Sequence, residues 1–171
     1  VDKNITVEVD GEEIIVEAMI GNKIYLSLAD AIAEAKAGET IKLLVDITSS
    51  DIIVIDKAIT LDGNGKTLTS TAGRAINVSG ADGVTIENLK INCSGERAIN
   101  IIQNATNVTI DNVTATAANY TVNVAASAPN AVVAIKNSTL NGLCTVNVAA
   151  LGAKVTVDNS TINCNDNNTT A

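Results

Sequence analysis

The residues of this 171-residue chain whose spacing could support chemistry are Asp62, Glu87 and Asp111, followed by Lys136 and Asp158. Each stands at the same place in a recurring five-residue phrase. If successive phrases stack as neighbouring strands about 4.8 Å apart, the carboxylates come within about 5 Å of one another, close to the separation that retaining glycosidases use. Glu87 and Asp111, with Asp62 nearby, are thus the candidates for acid–base or nucleophilic work on a polysaccharide. The competing reading is a solvated strand edge on which Lys136 relieves the repulsion between Asp111 and Asp158. Every one of these positions directly follows a core residue at a repeating site, so repetition alone accounts for the column. The strand-edge reading is preferred, and no catalytic residue is assigned. Ser-His-Asp and Cys-His catalysis and imidazole metal sites are excluded, because the chain has no His.

The elements that must position this column are visible as internal repeats. Val84-Thr-Ile-Glu-Asn88, Val108-Thr-Ile-Asp-Asn112, Val133-Ala-Ile-Lys-Asn137 and Val155-Thr-Val-Asp-Asn159 are copies of one phrase, and Ile59-Thr-Leu-Asp-Gly63 is a degenerate fifth. The steps are 25, 24, 25 and 22 residues. A second phrase, Arg74-Ala-Ile-Asn-Val78, returns at Arg97, Tyr120 and Cys144, in steps of 23, 23 and 24. Within each phrase apolar and polar residues alternate, the period of a half-buried strand. A unit of about 22–25 residues without a helix fits one turn of a parallel β-solenoid. Ile86, Ile110, Ile135 and Val157 then form one inward column, and Ile76, Ile99, Val122 and Val146 another.

Such a core suits the composition. The chain is 46% hydrophobic yet has no Phe, no Trp and only two Tyr, so its core must be thin, built of stacked aliphatic side chains. Two columns are pure amide: Asn77, Asn100, Asn123 and Asn147, and Asn88, Asn112, Asn137 and Asn159. Asn tolerates left-handed angles at a corner, and its side chain can bond the copy above and below, so both are expected to be structural ladders at strand ends. Eleven Asn-x-Ser/Thr triplets are present, but four of them fall in these ladders, where a glycan would break the stack. Thr60, Thr85, Thr109 and Thr156 form a threonine column interrupted by Ala134. Its neighbour is the acid column instead of a second threonine column, which argues against an ice-binding face. Asp62-Gly-Asn-Gly-Lys-Thr67 ends like a phosphate loop but lacks the first glycine, and reads as a tight turn.

Ser27 to Gly38 reads as an amphipathic helix, with Ser27 as N-cap, Asp30 in the capping-box position, Leu28, Ile32 and Ala35 as its apolar stripe and Gly38 as its stop. It is expected to close the open end of the solenoid. Ile5–Val9 and Ile14–Ala18 flank Asp10-Gly11, and Gly21-Asn22 precedes Lys23–Tyr25, which predicts short antiparallel strands. The net charge of −8 argues against nucleic acid and anionic membrane as partners. No stretch is long and apolar enough to insert in a membrane. Cys93, Cys144 and Cys164 have no C-x-x-C spacing, so neither zinc nor a disulfide framework is indicated; most are expected to act as small buried hydrophobes. Cys93 and Cys164 would lie three coils, about 14 Å, apart, beyond the roughly 7 Å limit for a bridge.

The run from Ile20 to Leu44, followed by Ile59-Thr-Leu-Asp-Gly-Asn-Gly-Lys-Thr-Leu68, resembles the opening of right-handed parallel β-helix domains of the pectate-lyase-like superfamily, at pattern level across roughly residues 14–164. The resemblance implies a module of a large bacterial cell-surface or adhesin-like protein, and it is compatible with lyases, hydrolases and non-catalytic stalks alike. A lyase of this group would be expected to combine a calcium-binding acid cluster with a basic proton acceptor. Arg74 and Arg97 share a column with Tyr120 and Cys144, and no acids converge on them.

The expectation is therefore an all-β right-handed parallel β-helix: an N-terminal strand pair over residues 1–26, a capping helix over 27–38 and coils over 39–171. The expected role is a non-catalytic extracellular spacer or adhesive face, with a polysaccharide lyase or hydrolase and a carbohydrate-binding module as alternatives. The shortage of aromatic rings weakens the last. No cofactor or metal is implied. The expected partner is a polysaccharide or a host or cell-surface component. Nothing after Cys164 can cover the final core layer, so either further coils of a longer protein or an end-to-end contact between copies is expected there.

Overall fold

The computed structural model describes residues 5–165. Thr6–Val9 (β1) and Glu12–Ile15 (β2) form a separate antiparallel ribbon. Its turn takes positive φ at Asp10 (53°) and Gly11 (84°), the geometry an Asp-Gly hairpin needs. Ala18–Ile20 (β3) and Lys23–Tyr25 (β4) make a second antiparallel pair, and Leu28–Glu34 (α1) follows.

The solenoid then runs coil by coil. The first coil is Thr40–Leu43 (β5), Ile47–Ser49 (β6) and Ile53–Ile55 (β7). The second is Thr60–Asp62 (β8), Thr67–Ser70 (β9) and Arg74–Ser79 (β10). The third is Thr85–Glu87 (β11), Lys90–Cys93 (β12) and Arg97–Ile102 (β13). The fourth is Val108–Asp111 (β14), Thr114–Thr116 (β15) and Tyr120–Val124 (β16). The fifth is Val132–Lys136 (β17), Thr139–Gly142 (β18) and Val146–Val148 (β19). Lys154–Asp158 (β20) and Thr161–Cys164 (β21) are two strands of a sixth.

Equivalent strands pair in parallel into three sheets: sheet I from β5 to β20, sheet II from β6 to β21 and sheet III from β7 to β19. The register places repeat on repeat without a slip. Leu61, Ile86, Ile110, Ile135 and Val157 are successive partners in sheet I, and Ile53, Ile76, Ile99, Val122 and Val146 in sheet III. From the second coil to the fourth these inward side chains have no solvent exposure. The thin aliphatic core deduced from the lack of rings is thus present.

The helix is shorter than the pattern predicts, ending at Glu34 instead of running to Gly38. The residues beyond it make other bonds, one local and one tertiary: Lys36 N donates to Glu39 Oε2 (2.7 Å) and Gly38 N to Ala58 O (2.7 Å). Its start is as expected, with Asp30 N donating to Ser27 Oγ. Asp30 binds the Ser27 hydroxyl (2.7 Å). A second cap comes from Glu17, whose Oε2 accepts from Leu28 N (2.8 Å). Leu28, Ala31, Ile32 and Ala35 are buried and join the main core beside Ile41, Leu43 and Ile47. The helix and the β3–β4 pair, which extends sheet I beyond β5, therefore close the N-terminal end.

Among the described residues nothing covers the other end. Val148, Val157 and Ile162 continue inward columns whose members one coil below, Val124, Ile135 and Leu140, are fully buried, yet they are 45%, 48% and 39% exposed.

Candidate functional site

The acid column exists as read, because β8, β11, β14, β17 and β20 all end on the residue in question. Asp62 pairs with Glu87, Glu87 with Asp111, Asp111 with Lys136, and Lys136 with Asp158. Sequence reasoning missed its first member, Lys42, which pairs with Asp62. The triplet Thr40-Ile-Lys42 carries the same alternation as Thr85-Ile-Glu87, and that was the available signal. Three carboxylates in a row are thus bracketed by Lys42 below and Lys136 above.

The three acids are held differently. Asp62 Oδ1 accepts from Asn64 N (2.8 Å) and from Asn88 Nδ2 (3.1 Å), and Asp111 Oδ1 accepts from Asn137 Nδ2 (2.8 Å). These bonds fix two Asp side chains along the sheet edge. Glu87 lies between them, and partial desolvation, then the charges of Asp62 and Asp111, raise its pKa above the ordinary 4.5. Grooves of the molecule beside α1, beside Asp46 and Lys66, and along Thr69 and Asn92 do not include these acids. Among the described residues no group of acids, Cys or His is disposed to hold a metal ion.

The two amide columns differ in kind. Asn88, Asn112, Asn137 and Asn159 follow their strands directly and adopt φ of 51°, 51°, 49° and 44°, the left-handed corner expected of them. Asn112 Nδ2 donates to Asn88 Oδ1 (2.8 Å) and Asn159 Nδ2 to Asn137 Oδ1 (2.7 Å). The ladder breaks between Asn112 and Asn137, where Asn137 turns to Asp111 instead. The other column is not at strand ends, as the sequence suggested: Asn77, Asn100, Asn123 and Asn147 lie inside β10, β13, β16 and β19. Its bonds are unbroken, Asn100 to Asn77 (2.9 Å), Asn123 to Asn100 (2.7 Å) and Asn147 to Asn123 (2.7 Å), each Nδ2 to Oδ1. Asn100 and Asn123 are buried, so the ladder satisfies polar groups that burial would otherwise leave unpaired.

Arg74, Arg97 and Tyr120 stack in register as predicted. Arg97 contacts Glu96 (3.6 Å) and lies 5.6 Å from the Tyr120 ring centre. Of the three cysteines only Cys93 is buried; Cys144 and Cys164 are exposed and all three are free. The expectation that most are core residues fails because Cys144 stands in the outward column of Arg74, Arg97 and Tyr120, and Cys164 lies in the last strand of sheet II.

Sheet II carries a face the sequence reading overlooked. Its outward columns are Thr67, Lys90, Thr114, Thr139, Thr161 and Thr48, Thr69, Asn92, Thr116, Asn141, Asn163. Most are at least half-exposed, and Lys90 is the only charge. The phrase Thr-x-Thr or Thr-x-Asn, which follows the left-handed corners at Asn64, Asn112, Asn137 and Asn159 and becomes Lys90-Ile-Asn92 after Asn88, was the available signal. A groove of about 320 Å³, lined by Thr69, Asn92 and Thr116 together with Ser70, Cys93 and Ser94, runs along its margin.

No protein family, no curated protein and no solved structure matches the chain.

Proposed function

We propose that this chain is a non-catalytic β-helix module of the pectate-lyase-like kind, acting outside the cell as a rigid spacer that presents an adhesive face, in the setting of a bacterial surface protein. The observation that supports this most directly is the outer face of sheet II: two adjacent columns of Thr and Asn, neutral except for Lys90, on a sheet in continuous register. Hydroxyls and amides repeated about every 4.8 Å offer many weak hydrogen bonds to an extended, hydroxyl-rich partner such as a polysaccharide or a cell-surface glycan. Because the inward columns alone specify the coil, these outward residues are free to vary with the ligand. The test is a pull-down on insoluble neutral polysaccharides, with a glycan array, comparing the native protein with Thr69→Glu and Thr116→Glu. Binding that is retained by both variants, or absent from the native protein, removes the adhesive half of the reading.

The second reading is a polysaccharide lyase or hydrolase centred on Glu87, supported by its raised proton affinity between Asp62 and Asp111. Cleavage of uronate-containing polysaccharides that disappears in Glu87→Gln and Asp111→Asn would replace the first reading with this one.

A further inference from the structure

The open C-terminal end has a specific self-complementarity. Strand β20 is the last of sheet I and pairs only with β17. Lys154 N donates to Ala131 O and Asp158 O accepts from Asn137 N, so the backbone groups of Lys154 and Asp158 face inward to the preceding coil. By the alternation of a strand, the N–H and C=O groups of Val155 and Val157 face the free edge. The sequence of the strand is Lys154-Val-Thr-Val-Asp158, a pattern that reads as its own charge complement in reverse.

We infer that this edge is an interface between two copies of the chain, joined antiparallel about a two-fold axis through Thr156. In that register Val155 of each copy opposes Val157 of the other. These are the residues with free backbone groups, so each pair exchanges both hydrogen bonds as a hydrogen-bonded antiparallel pair does. Lys154 opposes Asp158 of the second copy in the closer, non-hydrogen-bonded position, where opposite charges attract across the ladder. The axis makes the contact isologous, so both ion pairs form together. Val157 and Val155 keep their inward side, and the half-exposed Val148 and Ile162 of each copy come to face the apolar end of the other.

A head-to-tail stack does not satisfy the same surface. The opposite end of the molecule is occupied by α1 and the β3–β4 pair, which lie over the first coil. The side of α1 away from the core carries the exposed Asp30 and Glu34, which a head-to-tail stack would set against Val148, Val157 and Ile162. The charge pattern of Lys154–Asp158, complementary to its own reverse, is what argues for a second copy as the occupant.

Analytical ultracentrifugation of the full chain from micromolar to millimolar concentration, followed by a charge-exchange cycle, tests this. The native protein is expected to dimerise. Lys154→Asp and Asp158→Lys, each at an exposed position, are expected to weaken the dimer about tenfold or more, since two attractive pairs become repulsive. The double exchange is expected to restore it. Hydrogen exchange should show the Val155 and Val157 amides gaining protection with concentration while those of Lys154 and Thr156 do not change. A protein monomeric throughout the range, a double exchange no better than the single ones, or growth into assemblies larger than two would each overturn the proposal.

Discussion

Asn123 donates its side-chain N–H to Oδ1 of Asn100 over 2.7 Å, and both residues are 4% exposed. Asn100 and Asn123 each spend their donor on the coil before and their acceptor on the coil after, so substituting either leaves two partners unsatisfied. Breaking a buried hydrogen bond costs about 1–3 kcal/mol for each group left unpaired. Asn123→Ala is therefore expected to lower stability by roughly 2–4 kcal/mol, measured by urea denaturation. In the exposed column Asn137→Gly keeps the left-handed corner and exposes its former partners to water, and is expected to cost under about 1 kcal/mol. Equal losses at the two sites would contradict the distinction drawn between the ladders.

The environment of Glu87 makes a pH prediction. Its folded-state pKa is raised above 4.5, first by desolvation and then by Asp62 and Asp111. The protonated form therefore favours the folded state: the benefit is complete below the unfolded pKa and is lost as pH rises through the folded value. Glu87→Gln should raise the melting temperature at neutral pH, and the difference should shrink as the pH falls toward 4. Thermal scans across that range decide it, and a variant less stable than the native protein at neutral pH would show that Glu87 is tied to an attractive partner.

Gly63 begins the turn between the first two sheets of the second coil. A Cβ there would sit 2.6 Å from Asn88 O and from Leu89 Cα and Cβ. Because the coil above rests directly on this position, Gly63→Ala is expected to destabilise the protein by about 1–3 kcal/mol, as overpacking does. Gly65→Asn is the control: its φ is 74° with nothing within 4 Å of an added Cβ, and Asn tolerates left-handed angles, so chemical denaturation should show a much smaller change.

The N-terminal lid depends on Glu17, which accepts the Leu28 N–H at 2.8 Å. Glu17→Ala removes one of two caps on α1 and should cost about 1 kcal/mol. The loss should concentrate in the lid, seen as faster hydrogen exchange in Leu28–Glu34 while β10, β13 and β16 stay protected. Uniformly faster exchange would mean that the helix and the solenoid unfold together.

Much of this architecture could be read from the chain. The phrases beginning at Val84, Val108, Val133 and Val155 pair residue for residue, because a repeat whose inward positions are aliphatic and whose corner is Asn leaves only one register that buries its apolar face. The helix start was legible from Ser27 and Asp30, local cap chemistry. Its early end was not, since the chain beyond it is held by Ala58, 20 residues from Gly38.

The candidate site was legible in its members and not in its state. Asp62, Glu87 and Asp111 share a column because the repeat demands it, but only the stacked fold shows Asn88 and Asn137 holding the two Asp residues and leaving Glu87 between them. Likewise the sequence identified Asn77, Asn100, Asn123 and Asn147 as a ladder while placing it at a corner; their burial inside strands follows from what packs around the strand. By itself the sequence determined the coil, its columns and its thin core, since these follow from period and side-chain size within one repeat. Only the tertiary structure decided which polar columns are buried, which outer face is neutral, and that one end is lidded while Lys154–Asp158 remains an open edge. Burial and edge exposure depend on what lies in the neighbouring coil, and no single repeat contains that information.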